Sequence, residues 1–189
     1  MYTEVVAVLS SVFALACGFI SAHKEGFLVM GCTSGSTWMV RLGLLFRVDV
    51  NKPDPKHGFT YLYYATVLGE GGNNTKVVNI LLAEGAAASI DSFGKATCAP
   101  LYEASGRGRL DIVNALIAAG ADVNKTNSTR YTPLYFACEK GFTDVAMTLL
   151  KAGADPSLQG MNEYTPLAAA AKNNHGAVVK FLRDAGVKR

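Results

Sequence analysis

Leu101, Leu134 and Leu167, in "CAPLYEA", "YTPLYFA" and "YTPLAAA", stand 33 residues apart, and each is followed 19 residues later by a glycine, at Gly120, Gly153 and Gly186. Two landmarks that keep step over a period of this length mark stacked supersecondary units. A unit so short cannot bury its own apolar face, so its neighbours must cover it, and the chain is expected to pile up linearly around one continuous core.

Local chemistry sets the content of each unit. The Thr132 and Thr165 hydroxyls are placed to cap a helix whose first turn holds Pro133 or Pro166, where a missing N–H costs nothing. Gly108 or Gly141 then ends that helix, and Asp111 or Asp144 sits in the first turn of the next, an acid at the positive helix end. "DIVNALIAAG" and "DVAMTLLKAG" carry apolar residues at helical spacing up to Gly120 and Gly153, which supply the left-handed residue that a helix C-terminus favours. Each unit reads as helix, tight turn, helix, long loop.

The T-P-L opening and the "GADVN" close resemble those of the ankyrin repeat. That resemblance implies an all-α solenoid of helix-turn-helix units whose long loops project as β-hairpin-like fingers. Upstream the pattern is modified. Leu62 and Gly85 are 23 apart, four more than elsewhere, and the excess falls in "GEGGNNT", a glycine-rich insertion in the helix-to-helix turn, while Tyr61 replaces the proline. Setting Leu28 on the anchor puts Arg47 on the closing position, Gly35 on the inter-helix turn and "WMVRLGLLF" in the second helix, a degenerate unit without the threonine, the proline or the closing glycine. The expected organisation is a leading half-repeat helix or signal-like segment over 1–20, a degenerate repeat over 21–53, a repeat with the insertion over 54–92, and repeats over 93–126, 127–159 and 160–189.

Two readings fit "MYTEVVAVLSSVFALACGFISA". A secretory signal would explain the apolar run and the small residues ending at Ala22, but the basic start is missing, since Glu4 is the only charge before His23. Alternatively "TEVVAVL" mimics "TDVAMTL" and "LDIVNAL": Glu4 precedes Leu28 by 24 residues, against 23 from Asp111 to Leu134, as a second helix of an incomplete leading repeat would. A chain that starts midway through a repeat lacks a polar cap, which suits either a piece of a longer array or a helix packed on another surface.

Signals for catalysis are weak. His23, His57 and His175 belong to different units, and no nucleophile-base or metal-ligand spacing is present. The "GEGGNNTK" turn fails the phosphate-loop pattern because Asn74 and Thr75 stand where glycine and lysine are required. Cys17, Cys32, Cys98 and Cys138 form no C-x-x-C pair and read as small apolar residues of a reducing compartment. A net charge of +3 on 189 residues falls far short of the basic footprint of a nucleic-acid binder. Three N-x-[ST] triplets, at Asn73, Asn124 and Asn127, would matter only in a secreted chain. No enzyme and no cofactor are expected.

What the resemblance implies instead is a non-catalytic protein-protein interaction module that binds through finger loops and a concave palm lined by the first helices. The residues just before the threonine position, Phe59, Cys98, Tyr131 and Tyr164, form a column with three aromatic members, the profile of interface hot spots. Tyr63, Tyr102 and Tyr135 follow the anchor leucine and fit a structural role as well as a binding one. Further finger positions are Lys95, Ser128, Thr129, Arg130, Met161, Asn162 and Glu163, and palm positions are Arg107, Glu139, Lys140, Lys172 and Asn173. Arg107, Lys140 and Lys172 together read as a shallow basic strip suited to an acidic protein partner, or as a solvated edge. Cytoplasmic placement, as a monomer or part of a longer array without membrane contact, is expected; the alternative is a secreted or membrane-tethered protein delivered by its apolar N-terminus.

Overall fold

The computed structural model describes residues 23–67, 74–92, 96, 98–161 and 163–187. Both readings of the N-terminal run fall outside those residues, as does most of the 69–75 insertion. Among the described residues there are ten α-helices and no strand. They form five pairs in chain order: α1 (Lys24–Ser34) with α2 (Thr37–Leu45), α3 (Tyr61–Val67) with α4 (Asn74–Ala83), α5 (Pro100–Gly106) with α6 (Leu110–Ala118), α7 (Pro133–Lys140) with α8 (Thr143–Lys151), and α9 (Pro166–Lys172) with α10 (Gly176–Asp184). First helices pack on first helices, second on second, and each pair on itself, so the pile is linear and all-α.

The start of each first helix is built as its sequence dictates. Thr132 and Thr165 hold extended backbone and accept from the Tyr135 and Ala168 N–H groups, each followed by proline in the first turn. Thr60 does the same for Tyr63 N–H at 3.2 Å. Ala99 adopts the matching extended backbone, φ −72° and ψ 157°, but has no hydroxyl to offer.

The second helices end on left-handed residues. Gly85, Gly120, Gly153 and Gly186 have φ of 91°, 91°, 94° and 79°, and Arg47 takes the same position with φ 53°. An arginine adopts this backbone at a cost of about 1–2 kcal/mol. In the last unit Asn174, φ 61°, stands where the inter-helix glycine stands in others, a conformation that asparagine tolerates better than most residues.

Between pairs the core is a double column. Leu28, Leu62, Leu101 and Leu134 are fully buried, and Leu167 nearly so. Leu81, Leu116, Leu149 and Leu182 form the second column. Its first member is Gly43, which lies against Leu28 so closely that an added Cβ would meet the Leu28 Cβ at 3.0 Å. Polar clasps hold the long loops. Asn124 Nδ2 donates to Gly153 O (3.3 Å) while its Oδ1 accepts from Asp155 N–H (2.8 Å), and Asn51 Nδ2 donates to Gly85 O (3.1 Å). The asparagine of "GADVN" is thus a joint between units.

Candidate protein-binding site

The loop before α7 folds on one side chain. Asn127 Oδ1 accepts from Thr129 N–H (3.0 Å), the Thr129 hydroxyl (2.9 Å) and Tyr131 N–H (2.9 Å), while Asn127 N–H donates to Tyr131 O at 3.0 Å. Arg130 turns the tip with φ 65°. The loop is therefore a side-chain-closed turn rather than a pair of strands. The next finger is joined to it by Met161 N–H donating to Thr129 O at 3.2 Å, and Glu163 turns that tip with φ 60°.

These turns aim aromatic rings inward over the first helices. Tyr131, at the end of the finger, stacks on Tyr135 in the first turn of α7, with centroids 4.3 Å and planes 25° apart. Gly160 lies directly against the Tyr131 ring: a Cβ at 160 would fall 1.8 Å from the ring. Tyr102 stacks on Phe136 of the following pair. Tyr102 and Tyr135 are buried, and burial foremost holds the Tyr102 phenol far above its usual pKa, so it remains neutral.

A recess of about 310 Å³ opens where these parts meet, walled by Tyr102, Tyr131 and Tyr135, with Asn127 and Thr129 from the finger, Glu139 and Ala169 from the helices, and Lys172 and Asn173 at the end of α9. It thus brings together Thr129, Tyr131, Glu139, Lys172 and Asn173. Ser128, Thr129 and Arg130 are exposed at one finger tip and Met161, Glu163 and Tyr164 at the other. The second tip carries a large exposed methionine beside a tyrosine.

Other positions behave differently. Cys98 is buried, at 2% exposure, and its Sγ donates to Glu103 Oε1 at 3.2 Å, so it is a packing residue and not part of a contact column. Phe59 is half-buried, stacked on Tyr63 and edge-on to Tyr64. Lys95 and Asn162 lie outside the described residues.

The basic strip is engaged internally. Arg107 Nε donates to Glu103 Oε2 at 3.2 Å, Lys140 Nζ lies 3.9 Å from Glu139 Oε2 and 5.3 Å from the Phe136 ring centre, and Lys172 Nζ lies 4.8 Å from the Tyr164 ring centre. Asn173 Nδ2 bonds Ala169 O. Burial pushes the Cys138 thiol up to about 12 and raises the Cys32 thiol as well.

Sequence reasoning missed Asn127 as the residue that builds the finger, Gly160 as the floor under Tyr131, and Phe136 as the partner of Tyr102. The available signal for Gly160 was its place between two fingers.

A linear pile of helix pairs with turn-capped fingers along one side defines a helical-repeat solenoid. Residues 101–188 are ankyrin repeats, matching the family model for ankyrin repeats in three copies. Ankyrin repeats are generally protein-protein interaction modules, and the family is typically non-catalytic. No curated protein matches the chain. Among the described residues, no helix is long and apolar enough to cross a membrane.

Proposed function

We propose that the chain binds a protein partner through the two finger tips, residues 128–131 and 161–164, and the recess between them and the first helices. We further infer that the pairs α1/α2 and α3/α4 extend the same array, since Leu28 and Leu62 share the burial of Leu101 and Leu134, and Arg47 and Gly85 share the left-handed turn of Gly120. The observation that carries the binding reading is the recess itself: the edge of the Tyr131–Tyr135 stack meets the polar side chains of Asn127, Thr129 and Asn173 there, with Glu139 and Lys172 of opposite charge in the same lining. Because Arg107, Lys140 and Lys172 already meet carboxylates or rings, a mixed polar and apolar partner surface fits better than a strongly acidic one. A cytoplasmic setting suits the reduced, buried thiols.

The test is affinity capture with the full chain followed by mass spectrometry, repeated with Tyr131→Ala, Met161→Ala and Tyr164→Ala. Loss of one specific partner with unchanged helicity by circular dichroism is expected. An identical partner set for all three variants would refute the assignment of this face.

A further inference from the structure

Second helices face solvent at fixed positions of the repeat. The residue ten beyond the anchor leucine, and the one seven further on, are exposed in every pair, including those with neighbours on both sides. At the first position stand Asp111, Asp144 and Ala177, with Lys76 in the pair that carries the insertion. At the second stand Ala118, Lys151 and Asp184, with Ala83 likewise. In α2 the same two positions hold Trp38 and Leu45, exposed at 63% and 74%. Internal pairs keep these positions bare, so a further repeat stacked in front of α1 and α2 would leave Trp38 and Leu45 uncovered.

The charges of this face have one sign. Arg41 lies between Trp38 and Leu45 on the same side of the helix, and Arg47 follows two residues after Leu45; both are exposed, and α2 has no acidic residue. Asp49, the nearest acid along the chain, has Lys52 at 3.8 Å. Along the row of second helices the apolar feature is confined to the nine residues of α2, because the adjacent α4 shows Lys76, Asn79 and Ala83 outward; the other large exposed hydrophobic of this unit, Met30 at 54%, stands on the first helix. That is narrow for a protein interface, which needs about 20–30 residues a side. A two-fold pairing with a second copy would bring Arg41 toward its own counterpart. A lipid surface needs no shaped partner: an indole suits the headgroup level and arginines suit anionic phosphates.

We propose that the outward face of α2, Trp38, Arg41 and Leu45 with Arg47, is a docking surface for an anionic bilayer. The contact would leave the finger tips and recess to the protein partner, so it does not depend on the reading above.

Trp38 is the chain's only tryptophan, so its emission reports this face alone. The full chain is titrated with phosphatidylcholine vesicles with and without phosphatidylserine. Blue-shifted emission and protection from an aqueous quencher are expected with the anionic vesicles only. Arg41→Glu should weaken the response roughly thirtyfold, at about fivefold per unit charge for two units. Leu45→Asp should weaken it further, and both exposed sites should leave the helical spectrum unchanged. An unaltered Trp38 spectrum would overturn the proposal, even if the chain sediments with vesicles, since the contact would then lie elsewhere. An equal response to neutral vesicles would overturn the anionic assignment. A shift that grows with protein concentration without vesicles would assign the face to a second copy.

Discussion

The rings of Tyr102 and Phe136 lie parallel across the joint between two units, with centroids 4.6 Å apart and planes at 16°. Gly106 makes room for this stack: a Cβ at that position would fall 1.9 Å from Phe136 Cδ1. Gly106→Ala is therefore expected to force the stack apart and to destabilise the protein by about 1–3 kcal/mol, the usual cost of overpacking. Urea unfolding followed by circular dichroism checks it. A midpoint equal to that of the parent would mean that the ring moves aside freely.

Ala99 has the backbone of a helix cap without the cap, whereas Thr132 and Thr165 fill the same place one and two units further along the chain. Ala99→Thr should add stability of about 1 kcal/mol, and Thr132→Ala should remove a similar amount. Thermal unfolding of the two variants is expected to move in opposite directions.

Asp54 is buried and ties down the turn that leads into α3. Desolvation by burial raises its pKa, but bonds from the Tyr64 hydroxyl (2.6 Å) and from the His57 and Lys56 N–H groups outweigh it, so its carboxyl is held below the usual range. A depressed pKa contributes stability that is present above the unfolded value, about 3.9, and lost as pH falls through the folded value. Stability should therefore drop below about pH 4, and Asp54→Ala should flatten that part of the profile. At neutral pH the same change should cost about 1–3 kcal/mol, because it strands a buried hydroxyl. Denaturant midpoints measured across pH would show both effects.

His175 Nε2 donates to Glu139 O at 2.9 Å, a bond from the last pair to the end of α7. Arg109 does the equivalent job upstream, its Nη1 donating to Thr66 O at 2.9 Å. Because a linear pile opens from its ends, His175→Ala should loosen α9 and α10 by about 1 kcal/mol. Hydrogen exchange should speed up in those helices and stay unchanged in α3 and α4. Uniform acceleration throughout would show that the units do not open separately.

The order and nature of the helices in residues 101–188 were legible in the chain alone, because each rule involved is local. Leu101, Leu134 and Leu167 set the period, Thr132 and Thr165 their own caps, and Gly120 and Gly153 their own stops, all within a few residues of the effect. In the first helix pair the left-handed position could be reached only by counting from Leu28, since Arg47 occupies it and the usual glycine signal is absent.

What the chain could not declare is what lies across a joint. Cys98 shares a register column with Tyr131, yet one is buried and the other borders the recess. Tyr131 finds its floor at Gly160, and Tyr102 its partner at Phe136, each in the next unit. Which member of a repeating column is covered depends on neighbours a full unit away in sequence, and packing alone decides that.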